Sequence, residues 1–313
     1  MPRVPLVTLN NGVDMPMLGL GVYMTPGDQT ARAVESALSA GYRMVDTAAA
    51  YGNEREVGEG VRRSGLNRSE VFVTTKLWMA DYGYNNALRG FDASLEKLGL
   101  DYVDLYLLHW PAPSTFDATI EAYRAAEHML AQGRTRAIGV CNFNPAHLER
   151  LAQASSIVPV LNQIELHPFF AQQELRAENA RRNMLTQAWS PIGGIYINHP
   201  TDPSQITRVL DHPGIVDIAA KHGKTPAQVV LRWHIQHGNA VIPKSVNPER
   251  IRQNILVFDF ALEQDDMRAI DAIDTRERGG RDPEVFDMEF IRARAAAAKS
   301  GQSAISPTGR TLT

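Results

Sequence analysis

Val103-Asp-Leu-Tyr-Leu-Leu-His109 is a short, almost continuously apolar run that stops on a histidine. Its length suits a strand, and its lack of alternation suits one buried on both faces. The same pattern recurs outward in both directions. Upstream lie Arg43-Met-Val-Asp46 and Val71-Phe-Val-Thr-Thr-Lys76. Downstream lie Ala137-Ile-Gly-Val-Cys-Asn142, Val160-Leu-Asn-Gln163, Leu185-Thr-Gln-Ala-Trp-Ser190 and Ala240-Val-Ile-Pro-Lys244. Each run ends on a polar residue capable of chemistry, and helix-like stretches separate the runs. Short buried strands alternating with helices build a parallel sheet. Right-handed crossovers then leave an open sheet or a closed barrel. Polar groups at every strand end favour a (β/α)8 TIM barrel, whose site is assembled from the C-terminal ends of several strands.

The rest of the chain fits that frame. Val7-Thr-Leu-Asn-Asn-Gly-Val13 reads as an N-terminal β-hairpin around an Asn-Gly turn. Leu18-Gly-Leu-Gly-Val22 reads as the first barrel strand. Its glycines allow close backbone approach, and the absence of a third argues against a dinucleotide fingerprint. Apolar spacing predicts helices over 28–40, 54–63, 85–98, 116–132, 145–154, 172–182, 215–222 and 225–237. Residues 193–214 hold three prolines and no period, which suits a long binding loop on the C-terminal face. Residues 286–313 read as a C-terminal loop and tail, with the last dozen or so loosely ordered. No domain break interrupts the alternation, so residues 1–313 are expected to form a single barrel domain.

Composition narrows the function. The 313 residues are 44% hydrophobic and 21% charged, with a formal charge of −3, so there is no concentrated basic footprint for nucleic acid. Cys141 is the single cysteine, which excludes an internal disulfide framework and suits a reducing compartment. No apolar run approaches the ~18 residues of a membrane span, and the first residues lack an apolar signal region. A cytoplasmic protein is the expectation.

Asp46, Lys76 and His109 end consecutive predicted strands, and Tyr51 lies in the loop after Asp46. Tyrosine's ordinary pKa of about 10 makes it a reluctant acid at neutral pH. A neighbouring ammonium favours the phenolate, so Lys76 is expected to lower that value while Asp46 keeps Lys76 charged and oriented. His109 can hydrogen-bond the reacting oxygen. Together the four suit protonation of an alkoxide forming at a carbonyl carbon. No Ser-His-Asp elbow, P-loop or zinc-spaced His/Cys set is present, and no metal is expected. Singly, Asp46 could cap a loop, Lys76 and Tyr51 could sit on the surface or rim, and His109 could be a core histidine. Jointly these roles fit poorly, because charged residues are rarely buried unpaired.

The motifs Gly41-Tyr-Arg-Met-Val-Asp-Thr-Ala48, Tyr51-Gly-Asn-Glu54, Leu105-Tyr-Leu-Leu-His-Trp-Pro111, Ile138-Gly-Val-Cys-Asn-Phe143, Asn162-Gln-Ile-Glu165 and Ile242-Pro-Lys-Ser245 resemble the aldo-keto reductase pattern. The resemblance covers roughly residues 5–285 and is nearest to the prokaryotic 2,5-diketogluconate reductase-like group. It implies NADPH-dependent reduction of aldehydes and some ketones, with Tyr51 as proton donor, Lys76 and Asp46 as its tuning pair and His109 orienting the carbonyl. It further implies that Asn142 and Gln163 hold the nicotinamide carboxamide, Trp189 stacks on the ring, and Ser190 with its loop covers the pyrophosphate. Lys244, Ser245 and Arg250 would bind a 2′-phosphate beside a helix start, and Asn254 would reach the adenine. A monomer is also implied.

Three positions depart from the family pattern. Cys141 replaces a serine and is a weaker hydrogen-bond partner. Gln253 stands where an acidic residue is common, and Ala49 where bulkier or polar residues are frequent. Tyr23, Trp78 and Trp110 are expected to wall the substrate pocket, with Ile195, Tyr196 and the segment near Phe286 setting selectivity. Phe116 is assigned to core packing. The alternative to an enzyme is a non-catalytic NADPH-binding sensor or regulatory protein on the same barrel, because fold alone does not fix function.

Overall fold

In the computed structural model, residues 4–194 and 208–293 are described. The expectations for Ile195, Tyr196 and the tail beyond residue 293 lie outside those residues. The hairpin forms from β1 (Leu6–Thr8) and β2 (Asp14–Pro16), which pair antiparallel. Eight parallel strands follow: β3 (Leu20–Gly21), β4 (Met44–Asp46), β5 (Phe72–Leu77), β6 (Leu105–Leu108), β7 (Ile138–Cys141), β8 (Leu161–Glu165), β9 (Leu185–Trp189) and β10 (Ala240–Val241). They neighbour one another in chain order. Parallel bridges Leu18↔Val241 and Gly21↔Lys244 join the first strand to the last and close the barrel. At this closure a Cβ on Gly21 would lie 2.6 Å from the Ile242 carbonyl oxygen, so only glycine allows the strands to meet.

Helices α1 (Gly27–Ser39), α2 (Glu54–Arg63), α3 (Tyr84–Leu98), α4 (Phe116–Ala131), α5 (Pro145–Ala152), α6 (Gln173–Arg181), α7 (Pro213–His222), α8 (Pro226–Gln236), α9 (Pro248–Ile255) and α10 (Gln264–Asp271) connect or follow the strands. Several pack directly on the strands, among them α3 on β5, α4 on β6 and β7, α6 on β9 and α8 on β10, whereas α9 packs on α1 and α8, and α10 on α7. In α4 the buried positions Phe116, Thr119, Tyr123, Ala126 and Met129 recur every three or four residues, flanked by the small Ala122 and Ala125. Phe116 packs on Phe143 and His147, as its core assignment requires. Helix α10 was not anticipated, since its segment carries few apolar residues. Among the described residues no helix is long and apolar enough to cross a membrane.

Strand parity positions the site. Tyr106 and Leu108 pack outward with the helices, while Leu105 and Leu107 join Met44, Phe72 and Leu161 in a second buried cluster inside the barrel. Leu9 and Met15 of the hairpin region join that inner cluster. The Asn10 side chain donates to the carbonyls of Pro159 and Asn183, and Asn11 to that of Arg136. Each of these carbonyls just precedes a strand, so the hairpin plugs the N-terminal end of the barrel. At the opposite end the inward positions turn polar: Met44 gives way to Asp46, Phe72 to Thr74 and Lys76, Leu107 to His109, and Leu161 to Gln163.

Candidate active site

Lys76 is wholly buried, and its ammonium donates to Asp46 Oδ1 at 2.5 Å, to the Thr47 carbonyl at 2.8 Å and to the Tyr51 hydroxyl at 3.4 Å. All three ammonium donors are therefore used. Tyr51 reaches this point because a 3₁₀ turn, Ala49–Tyr51, ends at Gly52 in the left-handed region, φ 68°. The turn is held by Thr47 Oγ1 donating to Asn53 Oδ1 at 2.8 Å and by Asn53 Nδ2 donating to the Val22 carbonyl at 3.0 Å. The Asp46 carboxylate also accepts from Gln163 Nε2 at 2.8 Å. His109 lies edge-on to Tyr51 and Trp78, with ring centroids at 5.6 and 5.4 Å. The four residues predicted to meet do meet.

Their electrostatics differ from the sequence expectation in one respect. Lys76 does pull the Tyr51 hydroxyl toward ionisation, but burial opposes it and wins, so Tyr51 ionises well above its ordinary value. Burial likewise raises Asp46 against the pull of Lys76. Lys76 suffers the same burial, yet Asp46 and the groups around it hold it charged above its usual range. Burial first, and then Lys76, push His109 well below the ordinary histidine value, so its ring is neutral. Its Nδ1 is buried without a hydrogen-bond partner among the described residues.

Above this cluster opens a cavity of about 820 Å³. Asp46, Tyr51 and His109 line its floor, and Tyr23, Trp78 and Trp110, the three aromatics read from the sequence, line its walls. Tyr23 packs on Tyr51 at 5.0 Å. Tyr82 fixes Trp110 by donating to its carbonyl at 2.6 Å. Asn142, Gln163, Trp189, Ser190 and Lys244 border the same cavity. The Trp189 Nε1 donates to Asn142 Oδ1 at 2.8 Å, and Asn142 Nδ2 donates to the His109 carbonyl at 3.1 Å. Met24, Asn142 and Ser190 hold left-handed backbone, at φ 52°, 63° and 47°, where the chain leaves three strand ends.

Cys141 does not reach the cavity. Its buried thiol turns to Gln163 Oε1 at 3.9 Å, and burial keeps it protonated. Ser245, Arg250 and Asn254 also lie away from the cavity lining, beyond Lys244. The expected anion-friendly helix start is modified: the amides of Glu249 and Arg250 are already bound by the Asn247 side chain, at 2.9 and 3.2 Å. Charge there rests on the exposed Lys244 and Arg250 side chains. The stretch around Phe286 supplies more wall than the sequence indicated, with Gly280, Arg281 and Ile291 joining Phe286. Phe286 packs edge-on to Trp110 at 4.6 Å. The sequence reading named the segment near Phe286 but not Gly280 or Arg281.

A family model for the aldo/keto reductase family matches residues 17–275. The chain is 55% identical over 295 residues to morphine 6-dehydrogenase of Pseudomonas putida, covering 92% of this chain and 99% of that protein. A crystal structure of an aldo/keto reductase from Brucella melitensis superimposes with a TM-score of 0.81 at 48% identity, covering 88% of this chain and 99% of that one. The Bombyx mori aldo-keto reductase in complex with NADP does so at 0.83 and 33% identity, covering 93% and 98%. With its catalytic-looking cluster at the mouth of a closed barrel, its motifs in order and its relatives matched over nearly their whole length, the chain belongs to the aldo/keto reductase family.

Proposed function

We propose that the protein is an NADPH-dependent oxidoreductase that reduces aldehydes and some ketones to alcohols, with Tyr51 as proton donor. The single observation that carries the residue roles is the Tyr51–Lys76–Asp46 chain of contacts opening into an aromatic cavity. The surroundings fit the cofactor. Two amides, Asn142 and Gln163, and the flat Trp189 ring border one side of the cavity, and Lys244 borders its edge with Arg250 further along the chain. That is a donor set for a carboxamide, a ring and a phosphate. Asn254 and Ser245 belong to the same proposal at the adenosine end, and Ser190 at the pyrophosphate.

Bound NADPH supplies the hydride. The chain's own residues handle the proton. The raised Tyr51 keeps its hydroxyl proton at neutral pH, so the donor is fully loaded. An alkoxide is a stronger base than a phenolate, so the proton moves from Tyr51 to the substrate oxygen once negative charge gathers there. The phenolate left behind faces the Lys76 ammonium, which Asp46 holds in place. Neutral His109 can donate a hydrogen bond to the carbonyl oxygen without competing as an acid. Trp78, Trp110, Tyr23 and Phe286 exclude water and favour apolar carbonyl compounds over bulky charged sugars.

Nothing favours the non-catalytic sensor, since every member of the proton-handling set is present and in contact. A cytoplasmic monomer completes the proposal; the lone cysteine suits a reducing compartment. The test is cofactor oxidation by purified protein with methylglyoxal, aromatic aldehydes, pentoses and keto-sugars, using NADPH and NADH in parallel. Turnover preferring NADPH and aromatic aldehydes is the expected result. Tight NADPH binding without turnover would overturn the catalytic reading, and no binding would overturn the cofactor assignment.

A further inference from the structure

Glu165 closes β8 and is wholly buried, yet it neither borders the cavity nor touches the Tyr51 cluster. Its carboxylate turns the other way, to an irregular segment more than a hundred residues downstream. The Gly279 amide donates to Oε1 at 2.8 Å and the Gly280 amide to Oε2 at 3.0 Å. His167 Nε2 lies 3.2 Å from Oε1, and Arg278 Nη1 lies 3.9 Å from Oε2. Both glycines are buried. Gly280 also lies close against Trp189, the register partner of Glu165 on β9. A Cβ on Gly280 would sit 2.7 Å from Trp189 Cη2 and 2.8 Å from Glu165 Oε2. Immediately beyond this turn the chain becomes pocket wall, through Arg281, Phe286 and Ile291.

We propose that Glu165 is a positioning residue for substrate binding: it holds the Gly279-Gly280 turn against Trp189 and so sets the C-terminal wall of the pocket. A buried carboxylate is costly unless its oxygens are satisfied, and two backbone amides, the His167 ring and the Arg278 guanidinium surround it here. Removing the carboxylate withdraws the acceptor that both buried amides share, which favours a shift of the turn. The far end of the wall has separate fastenings. Glu284 lies 3.6 Å from His147 and contacts Asn144, and Asp287 accepts from the Ser114 amide at 3.4 Å. The displacement is therefore confined to the stretch next to Trp189. Substrates large enough to lean on Phe286 and Trp110 feel it; small ones held near Tyr51 and His109 do not.

The assignment of the wall as substrate-facing rests on the reductase reading, so the test has an arm independent of turnover. Hydrogen exchange of the full-length protein is compared for wild type, Glu165→Gln and Gly280→Ala. Faster exchange confined to residues around 279–293 and the strand bearing Trp189 is expected in both variants, with the rest of the barrel unchanged. Unchanged exchange, or acceleration spread over the whole barrel, would overturn the clamp. In the kinetic arm, KM for a bulky aryl ketone should rise about tenfold in Glu165→Gln, with kcat and the KM for methylglyoxal near wild type. Equal KM changes for both substrates would reduce Glu165 to a stabilising residue. Localised exchange in a protein that turns over neither substrate would keep the clamp and defeat the reductase reading instead. Glu165→Gln retains one acceptor oxygen; Gly280→Ala keeps the carboxylate intact and carries the exchange arm if the first variant does not fold.

Discussion

Two buried aspartates sit at opposite ends of the barrel and do different work. Asp104, just before β6, accepts from Arg68 and Arg136 at 2.7 Å each and from the Val73 amide at 2.9 Å. Its cations are partly exposed, at 21% and 45%, and no cavity-lining residue touches it. Asp46, at the end of β4, pairs with a lysine that is wholly buried and that passes the contact on to a tyrosine hydroxyl in a cavity. In the sequence the two look alike, an aspartate within or at the end of an apolar run. Position along the strand separates them. In a barrel of this kind the N-terminal end reads as stability and the C-terminal end as chemistry.

The comparison breaks most readily at Tyr51. Tyr51→Phe should lower kcat about a thousandfold, while the NADPH dissociation constant and thermal midpoint stay near wild type. Retained turnover would end its assignment as proton donor. Because burial raises Tyr51, the wild-type reduction rate should also show no fall from Tyr51 deprotonation as pH climbs through the ordinary tyrosine value of about 10. A decline centred well below that value would mean that Lys76, not burial, dominates.

Asp104→Ala should do the reverse. It should cost about 3 kcal/mol of stability, discounted from a fully buried pair because its arginines are partly in water, and leave KM and kcat untouched. Chemical denaturation beside steady-state kinetics would separate the two ends; a large kcat loss at unchanged stability would erase the distinction. Arg250→Ala should weaken NADPH about tenfold and NADH little, since only the former carries the extra phosphate. Equal losses, measured by fluorescence titration, would remove Arg250 from phosphate recognition.

A further effect concerns acid and leaves catalysis aside. His234 is buried, its ring N–H donates to the Pro191 carbonyl, and burial lowers its pKa to about 3. The unfolded chain binds a proton near pH 6.5 that the folded one refuses. Stability should therefore fall as pH drops through that window, by up to about 1.4 kcal/mol per pH unit from this one group. His234→Gln should flatten the slope; an unchanged slope would assign the acid sensitivity to other groups.

The strand ends were legible because a strand's period puts alternate residues on one face, and the inward positions change from apolar to polar along each run. Asp46, Lys76 and His109 could be read from that pattern alone, and Tyr51 from its distance past Asp46. What the sequence hid was burial. The expectation that Lys76 would lower Tyr51 named the right partner and the wrong net effect, because desolvation depends on everything packed around the hydroxyl. Of the C-terminal wall only the stretch near Phe286 was legible. The turn before it has no helical or strand period, and it is bound by Glu165 across 114 or 115 positions of sequence. Likewise Asn247 pre-empts the amides of its own helix start, a local competition that the basic residues nearby masked.

The closure of the barrel joins residues 18–21 to residues 241–244, and the hairpin turn docks on carbonyls 125 to 173 positions away. During synthesis the first strand therefore waits, with an open edge, until the eighth has left the ribosome. Contacts this distant in sequence make for slow folding, and an unpaired edge in the meantime is a template for pairing with another chain. A nascent chain halted before residue 240 would expose two such edges, whereas one released after residue 244 would have none.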